Sequence, residues 1–439
     1  MKRILPLLFL CTMFIAVAAH AQQKVYVFRH ANVLPMNKDT MLSDQRITVT
    51  GTTITSVAPE SVAPLPKDAI EIDATNKFIV PGFSDMHGHL PAGTEDDEFT
   101  LKQYLYFQVN AGVTHTRSMR SQNNQLAAID SIKTGAWLGP DLYLCKVAPL
   151  SDTAFHGKKM DAFVADAQKA GYKMIKYLNG GSDKQINELV NVCRKYNMPL
   201  GGHVPKNDIV WSAQRHWASV EHFTYLLSTW KKDSTLVGPI LDSMAKYKVY
   251  FCPTVSCYYN NDHMPNPSEA MKIQGMSVLP RAQVDAWMKD YRDTLRKMRK
   301  DSVAFRTYRM KKRLDYQRAG MIIQMAKQRG VVLLTSADEG LLTVPGFSLQ
   351  QEMEFYQNVA QLTPYEILRS VTWNAAAFRG DLDKYGSIEK GKEADFVMLT
   401  FNPLLGIRTV EYQDGVFCNG RWHGQKELLE YIRNFPNER

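Results

Sequence analysis

The chain has 439 residues, 45% of them hydrophobic and 22% charged, with a formal net charge of +9. That length suits a large α/β unit with an appendage rather than one small domain. The composition, with no low-complexity tract, excludes fibrous and disordered classes. The chain opens MKRILPLLFLCTMFIAVAAHAQQ, with Lys2 and Arg3, a short apolar run and then Ala19-His20-Ala21. These are the parts of a secretory signal peptide, with cleavage expected after Ala21. The run is too short for a membrane anchor, and no later segment approaches spanning length. An exported, periplasmic protein without a membrane span is expected.

Cleavage removes Cys11 and leaves Cys145, Cys193, Cys252, Cys257 and Cys418, an odd and scattered set with no C-x-x-C pair. That is neither a disulfide framework nor a cysteine metal site. Loss of Lys2 and Arg3 takes the formal charge from +9 to +7. Much of the remaining excess lies between Lys289 and Arg318, which reads as a solvated helix face. Nucleic-acid binding is not expected, because neither aromatic interleaving nor a known module accompanies the charge.

Residues 24–80 are β-rich: KVYVFRHANVL, QRITVTGTTITSVAP with a turn at Gly51, then FIV. After Pro81-Gly82 the texture changes to short apolar runs alternating with amphipathic stretches. The runs are FSDMHGH, VTHTRSM (113–119), DLYLCKV (141–147), MIKYL (174–178), LGGHV (200–204), SVEHF (219–223), VYFCPTV (249–255) and VVLLTSAD (331–338). Helical periodicity lies between most of them, as in DAFVADAQKAG and DKQINELVNVCRKYN. Eight strands with crossover helices predict a parallel (β/α)8 barrel of the TIM type, with its active site at the carboxyl ends of the strands.

The seventh and eighth runs are separated by a long insertion (256–325), with extra helices expected over 280–325. After LTPYEILRSVTWNAAAF the chain turns β again, through GSIEKGKEADFVMLTF and an Asn-Gly hairpin in DGVFCNGRW. Two β-rich ends flanking a barrel imply one small β-sandwich built from both. The expected division is a signal peptide at 1–21, sandwich at 22–80, metal-binding barrel at 81–380 and sandwich again at 381–439.

The stretch FIVPGFSDMHGHL places two of the eleven histidines on one strand face. Successive strand side chains alternate, so Phe83, Asp85, His87 and His89 point the same way, the two imidazoles roughly 7 Å apart. His87 and His89 end the first run, Lys176 sits in the fourth, and His203, His222 and Asp338 end the fifth, sixth and eighth. All six fall at or near a carboxyl end. Four imidazoles, a carboxylate and a lysine match the needs of two first-row divalent ions. Asp85 reads as a partner to the ligands rather than one of them.

VPGFSDMHGHL resembles the opening motif of the amidohydrolase superfamily, and GSIEKGKEADFVML resembles its returning carboxyl-terminal strand. LTPYEILRSVTWNAAA is similar to the helix between them. The ordered Lys, Gly-His, Glu-His and Ser-Ala-Asp fall where that superfamily places its ligands, over nearly the whole mature chain. GPDLYL and PGFSLQQEMEFY are similar to the imidazolonepropionase-like and Xaa-Pro dipeptidase-like branch. The resemblance implies that His87, His89 and Asp338 bind the more buried ion and His203 and His222 the more exposed one. Lys176 would bridge them as a carbamate, since a free ammonium has no lone pair to give. Zinc is the expected metal, and a hydroxide bridging the two ions the expected nucleophile. Asp338 would serve as proton shuttle, and a small-molecule amide as substrate. His156, Tyr225 and Arg117 are candidate substrate contacts, the alternatives being a surface-loop His156, a packed Tyr225 and an Arg117 paired structurally inside the barrel.

Departures from the family pattern affect the substrate more than the metal chemistry. Ala154-Phe155-His156 stands where relatives carry Gly-Gly-His, and Ser336-Ala337-Asp338-Glu339 where they carry Gly-Thr-Asp and a small residue. A one-metal deaminase, an ester or lactone hydrolase, and a catalytically silent binding protein all remain open on the sequence, as does assembly of identical chains.

Overall fold

The computed structural model describes residues 23–60, 64–94, 99–263, 267–279, 281–340 and 342–433. The signal peptide expected at 1–21 lies outside them. Five strands open the described chain: β1 (Val25–Val33), β2 (Leu42–Thr50), β3 (Thr53–Pro59), β4 (Ile70–Asp73) and β5 (Phe78–Pro81). Three more close it: β13 (Phe396–Leu399), β14 (Gln413–Cys418) and β15 (Arg421–Gly424), after the barrel strands given below. Both ends join in one mixed sheet ordered β15-β14-β13-β5-β1-β2-β3, with β4 paired to β1. The joint is the antiparallel ladder that pairs Phe396 with Pro81 and Leu399 with Phe78. β4 escaped the sequence reading: only Ile70 and Ile72 alternate in it, between two acids. The Asn419-Gly420 turn has positive φ at both residues, as the expected hairpin requires.

The barrel strands are β6 (Phe83–Gly88), β7 (Val113–Ser118), β8 (Asp141–Val147), β9 (Met174–Tyr177), β10 (Leu200–Gly202), β11 (Ser219–Glu221) and β12 (Tyr250–Cys252). They form one parallel sheet in chain order. The eighth position belongs to residues 331–338. Phe251 donates its N–H to Val332 O at 3.0 Å, Leu334 donates to Phe251 O at 2.8 Å, and Met86 donates to Thr335 O at 3.1 Å. These bonds close the ring, but the segment forms only the single bridge at Leu333 and is otherwise irregular. That irregularity frees its last residues to turn inward.

Helices fill the crossovers as the periodicity predicts, including Lys158–Ala170 and Asp183–Lys195. The stretch LTPYEILRSVTWNAAAF divides into Pro364–Val371 and Trp373–Arg379, broken at Thr372, whose φ of −128° and ψ of −87° leave the helical region. The long insertion carries Val255–His263, Arg281–Met298 and the 27-residue helix Ser302–Gln328. Glu352, buried on the helix Phe347–Asn358, anchors the start of the first of these: its carboxylate accepts from the N–H groups of Val255 at 2.9 Å and Ser256 at 2.7 Å.

Candidate metal centre

Each residue of the sequence-derived set lies at the carboxyl end of a barrel strand. His87 is the second-last residue of β6 and His89 follows the strand; Lys176 is on β9; His203 and His222 come directly after β10 and β11; Asp338 ends the closing segment. His222 and Asp338 both hold positive φ, 69° and 64°. Such a backbone is costly for a residue with a Cβ and recurs where surrounding contacts aim a side chain for function.

The side chains converge. His89 Nε2 is 3.1 Å and His87 Nε2 3.8 Å from Asp338 Oδ1, and Lys176 Nζ is 3.4 Å from His87 Nε2. The Nε2 atoms of His203 and His222 face each other at 3.0 Å, and the His87 and His222 rings are 4.9 Å apart. Burial, followed by the charge of Lys176, drives the His87 imidazole well below its ordinary range. The same enclosure takes His203 down to about 4 and His222 to about 3. These rings are neutral at pH 7, with lone pairs available. Burial lowers Lys176 as well, which favours the neutral amine. For Asp338 burial pushes upward, but the hydrogen bond with His89 and the neighbouring imidazoles outweigh it and the carboxyl stays below its usual value.

Beneath this cluster lies a buried network. His87 Nδ1 is 2.7 Å from Glu221 Oε2, and Arg117 Nη2 donates to both carboxylate oxygens of Glu221 at 2.8 and 2.9 Å. Arg117 also donates to Ser219 Oγ at 2.9 Å and to the Met86 carbonyl, and its guanidinium stacks on Phe378. Arg117 and Glu221 are both fully buried. This decides Arg117 for the structural pair over the substrate contact: all three nitrogens of its guanidinium donate to groups below the cluster. Glu221 went unassigned in the sequence, although an acid directly preceding a ligand histidine on a barrel strand is the available signal. On the other side of the ring, His222 Nδ1 lies 2.7 Å from Thr254 Oγ1. Asp85 accepts from Ser336 Oγ and from Gln108 Nε2 at 3.1 Å, which ties β6 to the closing segment.

Tyr225 stands at the rim, its ring 6.3 Å from that of His203. His156 is exposed on the loop after β8. A cavity of about 450 Å³ opens beside His89 and Asp338, lined by Phe99, Tyr104, Arg120, Glu339 and Leu349 among others. Arg120 and Glu339 pair across it at 3.4 Å.

A family model for the amidohydrolase family matches residues 78–423. The chain belongs to the amidohydrolase family. Within that family, a 75-residue stretch is 37% identical to the imidazolonepropionase of Pseudomonas savastanoi pv. phaseolicola, covering 17% of this chain and 19% of that protein. A 91-residue stretch is 33% identical to the imidazolonepropionase of Desulfotalea psychrophila, 20% of each chain. The chain therefore aligns with about a fifth of the length of these relatives. Among solved structures, a Xaa-Pro dipeptidase with methionine bound in its active site is similar with a TM-score of 0.65 at 18% identity, over 91% of this chain and 100% of that one. Bottromycin amidohydrolase is similar with a TM-score of 0.70 at 18% identity, over 93% and 89%. At these identities the likeness is one of fold.

The amidohydrolase side chains here fit a metal. Two ligand atoms on a tetrahedral ion with bonds of about 2.0–2.1 Å stand roughly 3.3 Å apart. The His89–Asp338 and His203–His222 pairs stand at 3.1 and 3.0 Å. His87, His89 and Asp338 together present one donor atom each within 4.8 Å of one another. The trio of His87, Glu221 and Cys252 is also this compact, but Arg117 already neutralises Glu221 there.

Proposed function

We propose that this protein is an exported two-metal hydrolase that opens an amide bond in a small molecule, a dipeptide or a cyclic amide. The observation that carries the reading is Lys176, 1% exposed, with its amine 3.4 Å from the inward nitrogen of His87. An ammonium there repels both a cation and the imidazolium form. As a neutral amine it attacks carbon dioxide: a new N–C bond forms, a proton leaves, and the product is an anionic carbamate with two oxygens. That carbamate would bridge an ion held by His87, His89 and Asp338 and one held by His203 and His222, with zinc the metal suited to imidazole and carboxylate donors.

Bound divalent ions polarise a carbonyl oxygen and lower the pKa of water from ~15.7 to about 7. The chain's own groups do the rest. Asp338, a carboxylate at neutral pH, takes the proton of the attacking water and delivers it to the departing nitrogen. Glu221 holds the His87 tautomer through Nδ1, and Thr254 does the same for His222. The cavity beside Asp338 receives the substrate, with Tyr225 and His156 the rim groups proposed to meet its far end. For export, the signal peptide at 1–21 is proposed to be removed after Ala21; no described helix is long and apolar enough to cross a membrane.

The test is elemental analysis of the purified protein, carbon-13 spectroscopy after growth in labelled bicarbonate, and a dipeptide and cyclic-amide library on the zinc-loaded form. Two ions per chain, a carbamate signal and amide turnover are expected. One ion with no carbamate overturns the two-metal reading. Silence on every amide with turnover of esters or lactones overturns the amidase reading. N-terminal sequencing of the periplasmic protein should begin at Gln22.

A further inference from the structure

The insertion holds the chain's charge imbalance. Residues 281–328 carry fourteen basic and five acidic side chains, a surplus equal to the +9 of the whole chain. Most of the surplus lies on or just before the helix Ser302–Gln328. One face of that helix is seated: Tyr308, Lys312 and Tyr316 all reach Asp262 on the neighbouring helix, at 2.6–2.7 Å, and Ala319, Ile322, Ile323 and Ala326 are buried.

The opposite face carries a second apolar line. Val303, Met310, Leu314 and Met321 are 64%, 62%, 46% and 51% exposed. Their spacing of seven, four and seven keeps them within about 20° of one line at 3.6 residues per turn, over about 27 Å of helix. A helix apolar on two opposed faces has one face too many for a single core. Alongside the line runs a groove of about 960 Å³, lined by Arg306, Arg309, Arg313, Met310, Met321 and Phe355. Arg306, Arg309 and Arg313 pair with no carboxylate among the described residues. Their i, i+3 and i+7 spacing sets like charges together on one side of the helix, a repulsion that an anionic partner would relieve.

We propose that this face docks the protein on an anionic phospholipid surface, the apolar line entering the acyl boundary and the three arginines of the groove taking phosphate headgroups. An amphipathic helix with a narrow apolar line between cationic flanks has the chemistry of an interfacial helix. Charge decides against a second copy of this chain as the occupant. A two-fold contact brings the same surface from each copy together, setting these arginines against their own equivalents. The proposal is independent of the hydrolase reading.

The test is vesicle sedimentation with protein beginning at Gln22. It contains every described element, and the apolar run at residues 4–19 then adds no lipid affinity of its own. Vesicles of phosphatidylcholine with about one third phosphatidylglycerol should bind at least tenfold more tightly than phosphatidylcholine alone. Binding should be released in about 1 M salt, where the screening length is roughly 3 Å. The R306Q/R309Q/R313Q variant should lose the headgroup preference. M310S/L314S should weaken binding about tenfold, with thermal melting used to check that both variants fold. Equal binding to the two vesicles, no binding to either, or binding unchanged in both folded variants overturns the proposal. So does a dimer of the parent, measured by sedimentation equilibrium, that M310S/L314S abolishes.

Discussion

At the scale of single residues, charge and proton inventory set the behaviour of the centre. Asp338→Asn keeps the oxygen that faces His89 but cannot accept a proton. Turnover should fall by roughly 10²–10⁴-fold, while elemental analysis finds the ion content little changed. Glu221→Gln removes a negative charge from between His87 and Arg117, both fully buried. It should cost about 3–5 kcal/mol in urea unfolding, because the guanidinium is left buried and unpaired. It should also weaken metal affinity roughly 10–100-fold, because the His87 ring loses its orienting acceptor. A loss of stability with unchanged affinity would assign Glu221 to packing alone.

The buried imidazoles of the cluster also fix a sign for acid stability. His203 and His222 titrate near 4 and 3 in the folded chain, against about 6.5 when unfolded. Between those values the unfolded chain binds more protons, so stability rises with pH. The melting temperature of the metal-free protein should therefore fall as pH drops from about 6.5 towards 4. Replacing both histidines with asparagine should flatten that slope. Bound metal steepens it, since protons compete for the same nitrogens.

At the scale of elements, the proposed barrel ligands depend on very short strands. β10 has three residues, and its Gly202 pairs with Tyr177 next to Lys176. Gly202 has φ of +117°, and a Cβ there would stand 2.6 Å from Tyr177 O and 3.0 Å from Lys176 Cγ. Gly202→Ala should cost about 1–3 kcal/mol and push His203 away from Lys176, seen as a reduced ion content of the folded protein. The convergence of these side chains was legible because a barrel collects strand ends, so an ordered list of His, Lys, His, His and Asp already implied one place. What escaped the sequence had no periodic mark. Glu221 and Arg117 meet across 104 positions, and Glu352 reaches the N–H groups of Val255 and Ser256 from 96 positions or more away. Such pairs follow from the closed geometry, and neither strand alternation nor helix spacing encodes them. Arg117 stayed open between two readings for the same reason: alternation gives its face but not its depth, and depth separates a substrate contact from a buried counter-ion.

At the scale of the whole molecule, the question is whether the two-ended sheet and the barrel unfold as one. Several bonds cross between them. Gly82 N–H donates to Asp395 O at 2.9 Å, Gln413 Nε2 to Ala111 O at 3.0 Å, Asn419 Nδ2 to Gly139 O at 3.0 Å and Tyr385 OH to Asp141 at 2.9 Å. Tyr106 stacks on Tyr431 of the last helix with centroids 4.1 Å apart. The two chain ends also share the β5–β13 ladder, so pulling the sheet apart takes strands from both termini. The cysteines report on this coupling. Cys145, Cys193, Cys252 and Cys257 lie in or next to the barrel and Cys418 at the end of β14; all five are free, and none is more than 4% exposed. Burial pushes the Cys145 and Cys193 thiols up to about 12 and raises those of Cys252, Cys257 and Cys418 well above their ordinary range, so little thiolate exists at neutral pH and oxidation is slow. In folded protein prepared to begin at Gln22, which omits Cys11, no thiol should react with an aromatic disulfide reagent. Across a urea series all five should become reactive with one midpoint, coincident with the loss of near-ultraviolet dichroism. Reaction of a single thiol at lower urea, mapped by peptide mass analysis to Cys418, would show that the sheet opens while the barrel still holds the histidine cluster together.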